Sequence, residues 1–320
     1  MGVRGSTGAP GARVLSLGEH RPATVVTNDD LARRIDTDDA WIRDRVGVAT
    51  RRIAGPDEST VDMAVAAGGK ALAAGGLSPA DIDLVLVATC TMPSQIPNAA
   101  AQVATRLGIR APGAFDVNAA CAGFVYALAT ASNAIVAGAA RHVLVIGSEK
   151  LSDWVDWGDR STAIIFGDGA GAAVVGPSDE VGIGPVAWGS AGESVDLIAV
   201  DDRDSFLRQE GQAVFRWATT ALAPVALRAC ALAGVEPAEL AAFVPHQANL
   251  RIIEAIARKL GAPNAVVARD IVETGNTSSA SIPIALCRMV ERGEVPSGAP
   301  VLVLGFGAGL TYAAQVLACP

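Results

Sequence analysis

The residues best suited to chemistry are a cysteine among small neighbours, a histidine after a proline, and an asparagine in a glycine turn. In Phe115-Asp116-Val117-Asn118-Ala119-Ala120-Cys121-Ala122-Gly123-Phe124, an extended FDV runs into a small-residue turn and then a long apolar helix. That reading puts Cys121 in the helix's first turn, where unpaired N–H groups and the positive end of the dipole favour a thiolate. Ala and Gly on either side leave room for a substrate at the sulfur. Judged by residue type alone, a buried packing cysteine is the commoner outcome. His246 lies in Val244-Pro245-His246-Gln247-Ala248-Asn249 and is one of three histidines. His20 and His142 sit in polar, loop-like settings beside Arg21 and Arg141. A nucleophilic cysteine needs an imidazole partner, and His246 is the one placed for it, with a merely hydrogen-bonded histidine the even alternative. In Thr274-Gly275-Asn276-Thr277-Ser278-Ser279-Ala280-Ser281 a Gly-Asn turn opens a helix that Thr and Ser can cap. Read functionally, the Asn276 amide donates a hydrogen bond into a site.

Two glycine-rich runs accompany these segments. Phe166-Gly167-Asp168-Gly169-Ala170-Gly171-Ala172 leads into a strand-like AAVV, not a helix, so a dinucleotide site is disfavoured. Gly305-Phe306-Gly307-Ala308-Gly309-Leu310 lacks the Lys-Ser/Thr of a P-loop. A backbone N–H there, at Ala308, would complete an oxyanion hole with that of Cys121. The five cysteines (Cys90, Cys121, Cys230, Cys287, Cys319) are odd in number and form no CxxC pair. Neither a zinc site nor a disulfide framework is indicated, and reduced cytoplasmic thiols are the expectation.

The elements that must hold these groups repeat once. GLSPADIDLVLV at 76–87 is echoed by GVEPAELAAFVP at 234–245, and Val143-Leu144-Val145-Ile146-Gly147 by Val301-Leu302-Val303-Leu304-Gly305, both at an offset of 158. At that offset His246 matches Ala88, the C-terminal end of a strand, where α/β proteins gather functional groups. Strand-like runs fall at 13–17, 83–89, 143–147, 163–166, 172–175, 242–245, 265–268 and 301–304. Helical stretches lie at 59–75, 97–107, 121–139, 211–233, 249–260 and 278–291. Strands alternating with helices make a layered α/β fold with largely parallel or mixed sheets, and the spacing divides the chain into halves, 1–176 and 177–320, that form one catalytic unit. Of the 320 residues, 51% are hydrophobic, 18% charged and 4% aromatic. The core must therefore be built from Ala, Val, Leu and Ile. With 33 acidic against 25 basic residues the net charge is −8, which disfavours a nucleic-acid binder but allows a local basic patch. No apolar run suggests a membrane span. The glycine-rich MGVRGSTGAPGARV reads as a floppy leader, not a secretory signal. Its MGxxxS start matches a myristoylation pattern that would anchor only weakly.

DVNAACAGFVYAL, IIFGDGAGAAVV, VPHQANLRII, GNTSSASIP and GFGAGL, in this order, resemble β-ketoacyl-acyl carrier protein synthase III of the thiolase superfamily. The resemblance runs from about residue 13 to 318. It implies the duplicated thiolase fold, five-layered αβαβα. It also implies Cys121 as nucleophile, with His246 and Asn276 binding the thioester carbonyl and promoting decarboxylation. Trp41, Arg45 and Arg160 then match positions holding the adenine and phosphate end of coenzyme A. Ile96 and Phe306 match the acyl pocket and its gate, and Arg216, Arg251 and Lys259 the face that docks the carrier protein. The implied reaction joins an acyl-CoA to malonyl-acyl carrier protein through an acyl-Cys121 intermediate. It needs no metal and no cofactor beyond the coenzyme A thioester substrate, and a cytoplasmic homodimer is expected.

Two departures from the family pattern bear on the primer. The segment 189–210 looks shorter than usual, and Ile96 stands where some members carry Phe. Both point to a starter other than acetyl, longer or more branched, as in synthases that prime polyketides. An acyltransferase that omits condensation is the alternative, although it need not keep both His246 and Asn276. A degradative thiolase would want a second cysteine in a C-terminal CxG, whereas Cys319 precedes Pro320 at the chain's end.

Overall fold

A computed structural model describes residues 6–202 and 204–320. Residues 1–5, and with them all of the myristoylation pattern but Ser6, lie outside the described residues. From Ala9, whose N–H donates to Ile135 O, the chain packs on the end of a helix. The first half carries β1 (Gly11–His20), β2 (Thr24–Thr27), β3 (Thr50–Ile53), β4 (Leu84–Ala88), β5 (Gly113–Val117), β6 (Val143–Glu149) and β7 (Gly169–Ser178). Its helices are α1 (Asn28–Ala32), α2 (Asp39–Val46), α3 (Thr60–Ala74), α4 (Ala99–Leu107), α5 (Gly123–Val136) and α6 (Arg160–Ala163). The second half carries β8 (Ala187–Ser190), β9 (Ile198–Ala199), β10 (Arg208–Gln209), β11 (Ala242–Pro245), β12 (Val266–Val267), β13 (Pro300–Gly307) and β14 (Thr311–Ala318). Its helices are α7 (Gly211–Ala233), α8 (Leu250–Leu260), α9 (Ile271–Thr274) and α10 (Ser281–Glu291).

Two five-stranded sheets have the same plan. The first runs β1-β7-β6-β4-β5 and the second, read from its other edge, β8-β14-β13-β11-β12. The register repeats too. Leu84 pairs with Val143 in parallel β4 and β6, and Ala242 with Val301 in parallel β11 and β13, each partner displaced by 158. Alternate residues feed different layers. Leu86, Ala88, Val143 and Val145 join α5 and α10 in a central core. Val85, Val87, Leu144 and Ile146 pack on α3 and α4. Leu302 and Leu304 pack on α7 and α8. Burial on both faces explains the unbroken LVLVA and VLVLG runs. The result is the duplicated five-layered thiolase fold.

Three sequence readings shift. Residues 163–166 are not a strand: Asp159 caps the short α6, and Phe166 forms a single bridge to Asn276. Ile164, Ile165 and Phe166 are apolar because they join a buried cluster with Ile42 and Val46 of α2. The run 265–268 pairs only at Val266–Val267. The antiparallel β14, TYAAQVLA, closes on β13 although its pattern drew no strand assignment.

Candidate active site

Cys121 sits in the 3-10 turn Ala120–Ala122 that leads directly into α5. The turn is sharp, with Ala120 at φ 45°, a left-handed conformation that costs an L-residue free energy and is found where function needs it. β13 ends against it. A Cβ on Gly307 would lie 2.7 Å from Cys121 N and 2.8 Å from Cys121 Cβ, so only glycine lets the strand come this close. Burial pushes the Cys121 thiol up to about 12, against a lowering hydrogen bond from Ser278 and a further rise from the Glu149 charge. Loss of hydration thus opposes the helix end, which favours the thiolate. Cys90, on the neighbouring loop, is held well above its ordinary value by burial as well.

His246 follows β11 and is buried, its ring edge-on to Phe306 at 5.1 Å. Ser281 Oγ lies 2.7 Å from Nδ1. The same oxygen accepts the Gln247 N–H at 3.2 Å. With that lone pair engaged, the hydroxyl proton is free to donate to Nδ1, which leaves the ring proton on Nε2. Burial depresses the imidazole to about 3, so His246 is a neutral donor. His20 instead pairs with Glu58, and His142 Nδ1 with Asp81 O.

Asn276 is gripped by its backbone: its N–H donates to Ile165 O at 2.9 Å and its carbonyl accepts from Gly167 N at 3.0 Å. Its side-chain Oδ1 accepts the Ser278 N–H at 2.8 Å, which leaves Nδ2 to donate elsewhere. Ser278 has φ 48°. Neither Ser281 nor Ser278 was singled out from the motif containing them. The repeat signals both turns, because Asn118-Ala119-Ala120-Cys121 and Asn276-Thr277-Ser278-Ser279 stand 158 apart.

A cavity of about 1180 Å³ is lined by Cys121, Asn276, Phe306 and Ala308, and extends past Trp41 and Arg45 to Arg216 and Arg251. Arg160 stacks on Trp41 from 4.6 Å, and its Nη1 donates to Asp36 O. Arg251 stacks on Phe215 at 5.4 Å. Lys259 is turned to the Thr219 carbonyl of α7 and is not part of the lining. Ile96 is the clearest displacement. It is 85% exposed and lies outside the cavity of its own chain, whereas Met92 to Gln95 of the same loop line it.

Family models describing 3-oxoacyl-[acyl-carrier-protein] synthase III match residues 115–192, and its C-terminal part residues 230–319. Beta-ketoacyl-[acyl-carrier-protein] synthase III 4 of Streptomyces coelicolor is 56% identical over 313 residues, 97% of this chain and 99% of that protein. Beta-ketoacyl-[acyl-carrier-protein] synthase III 1 of the same organism is 47% identical over 340 aligned positions, covering 99% of each. Among solved structures, the priming β-ketosynthase from the R1128 polyketide biosynthetic pathway superposes with a TM-score of 0.97 at 45% identity, covering 100% of this chain and 99% of that one. The synthase III of Aquifex aeolicus superposes with a TM-score of 0.93 at 41% identity, covering 96% of this chain and 100% of that one. With motifs, duplicated sheets and relatives agreeing over nearly its whole length, the chain belongs to the β-ketoacyl-[acyl-carrier-protein] synthase III family of the thiolase superfamily.

Proposed function

We propose that the protein primes chain synthesis by condensing an acyl-CoA other than acetyl-CoA with malonyl-acyl carrier protein, in the cytoplasm. The observation that carries this reading is the joint presence in one cavity of the Cys121 sulfur and an Asn276 amide turned to donate, with neutral His246 packed behind Phe306. Cys121 attacks the thioester carbonyl, whose oxygen is held by the N–H groups of Cys121 and Ala308, and the proton lost from its thiol ends on the departing coenzyme A sulfur. Coenzyme A leaves as the thiol and acyl-Cys121 remains. Malonyl-carrier protein then gives up CO2, and the electron pair of the broken C–C bond becomes an enolate held by His246 Nε2–H and Asn276 Nδ2–H. The enolate carbon attacks acyl-Cys121, the C–S bond breaks, and 3-oxoacyl-carrier protein departs.

Trp41, Arg45 and Arg160 suit an adenine and its phosphates, since a flat ring stacks on indole and guanidinium. Arg216 and Arg251 at the mouth suit an acidic carrier protein, with Lys259 a more distant contributor. Phe306 is the apolar wall of the acyl site. Exposed Ile96 can gate a cavity only across a subunit interface. A homodimer built on the open edge of β5, where Phe115 is 43% exposed, supplies one.

The test is mass spectrometry of Cys121 after exposure to acetyl-, isobutyryl-, butyryl- and hexanoyl-CoA, followed by malonyl-carrier protein. Each extra buried methylene adds up to about 0.8 kcal/mol of binding, so branched or longer primers should be favoured about ten- to a hundredfold in kcat/KM. A clear acetyl preference sinks the primer reading. Acyl-Cys121 that transfers to the carrier without CO2 release sinks condensation.

A further inference from the structure

The end of β6 carries a carboxylate that this reaction does not use. Glu149 is fully buried. On Oε2 it faces Thr91 Oγ1 at 2.7 Å, Thr89 Oγ1 at 3.1 Å and Cys90 N at 3.1 Å. On Oε1 it faces Ser279 Oγ at 2.9 Å, Ser278 Oγ at 3.0 Å and Cys90 Sγ at 3.4 Å. Every one of these donors is neutral. A polar side chain held away from water is costly unless its partners are kept in place, and such a group calls for a reason.

Its place in the repeat supplies one. Glu149 stands 158 positions before Gly307, and β6 and β13 end at these two residues. At Gly307 the side chain is missing and the Cys121 turn lies against bare backbone. In the other half the matching turn, Ser278–Ala280, has Ser279 where the first has the nucleophile. There Glu149 fills the space and binds the turn's hydroxyls. One of them belongs to Ser278, whose left-handed φ of 48° accompanies the N–H donated to Asn276 Oδ1.

We propose that Glu149 is a positioning residue for the enolate-forming half-reaction: by binding the Ser278 hydroxyl it holds Ser278 in the left-handed conformation that turns the Asn276 amide into the site. This rests on the reading that the site decarboxylates a malonyl thioester. Ser278→Ala and Ser278→Gly both lose the hydroxyl, and with it any hydrogen bond to Cys121. They differ in that glycine enters the left-handed region without penalty while alanine does not.

The experiment measures malonyl-carrier protein decarboxylation and single-turnover Cys121 acylation for both variants, with Glu149→Met and Glu149→Gln alongside. S278G should decarboxylate about tenfold faster than S278A, while their acylation rates differ by less than about threefold. E149M should lose decarboxylation to a similar extent in the parent but not in S278G. E149Q, whose amide can still pair with rotating hydroxyls, should retain most of it. Equal decarboxylation by S278A and S278G overturns the proposal, as does a parallel fall of both half-reactions in E149M. Should E149M fail to fold, the Ser278 pair decides. An unaltered enzyme that releases no CO2 overturns the condensation reading itself, and the positioning role falls with it.

Discussion

Ala120 and Ser278, 158 positions apart, are left-handed residues of equivalent turns, at φ 45° and 48°. Each follows an asparagine by two residues and donates its N–H to that asparagine's Oδ1, at 3.4 Å to Asn118 and 2.8 Å to Asn276. One turn geometry thus serves two purposes. In the first half it presents the cysteine one residue further on, and in the second it presents the asparagine itself.

Cys121→Ala should abolish acyl-enzyme formation and Cys90→Ala should not, as intact-protein mass spectrometry will read. With the thiol pushed up to about 12, the thiolate fraction grows tenfold per pH unit. Alkylation of Cys121 by iodoacetamide should therefore climb about tenfold per unit from roughly pH 6 to 9. A plateau below pH 8 would show an acidic thiol and contradict the burial argument.

His246→Ala and Asn276→Ala should each slow malonyl decarboxylation by about 10²–10³-fold and acylation by much less. The backbone donors serving acylation survive both changes. Equal losses in the two half-reactions would remove the assigned division of labour.

His246 also links stability to pH. Its folded value of about 3 lies below the 6.5 of the unfolded chain, so below 6.5 the unfolded chain binds a proton that the folded protein refuses. Stability contributed this way is present above 6.5 and falls by about 1.4 kcal/mol per unit as pH drops towards 3. Denaturant melts of the parent and His246→Gln should diverge in slope across that window. Parallel curves would show that the ring is protonated as readily when folded as when unfolded.

Gly307→Ala should destabilise the fold by about 1–3 kcal/mol through overpacking and depress acylation sharply. The new methyl would meet Cys121 N and Cβ. Gly307 has φ −174°, so backbone strain plays no part. Gly192→Ala, with nothing within 4 Å of its would-be Cβ, is the matched control. Unchanged acylation in Gly307→Ala would mean that the turn yields freely.

Phe115→Asp on the open edge of β5 should convert a dimer into monomers in sedimentation velocity at micromolar concentration, because charge on an edge strand opposes strand addition. A parent that is already monomeric would rule out the shared-edge assembly.

Cys121, His246 and Asn276 could be picked out as candidates because each lies in a compact local motif, and the duplication was legible because its offset is constant. Helix α7 has the bounds its apolar spacing gave, 211–233. What escaped depends on distance along the chain. Ser281 matters only because His246, 35 residues away, meets its hydroxyl. Glu149 matters because Ser278, 129 residues on, binds it. The helix end at Cys121 was visible in the sequence, but the desolvation that opposes it was not. Ile164 to Phe166 read as a strand because apolar composition reports burial, not sheet pairing. Ile96 could be assigned to a gate by motif, yet no motif says on which side of the molecular surface a side chain emerges.

The close approaches that glycine allows beneath the two turns cross between the halves. Gly147, in the first, lies under Ser279 of the second, and Gly305, in the second, lies under Ala122 of the first. Each reactive turn is seated on a strand it does not share a half with. Neither half can complete its turn in isolation, so the two should melt as one cooperative unit, with a single calorimetric transition despite the length of the chain. Such a single transition would show that the repeat traced in the sequence does not mark a boundary between independently folding bodies; two transitions would show that it does.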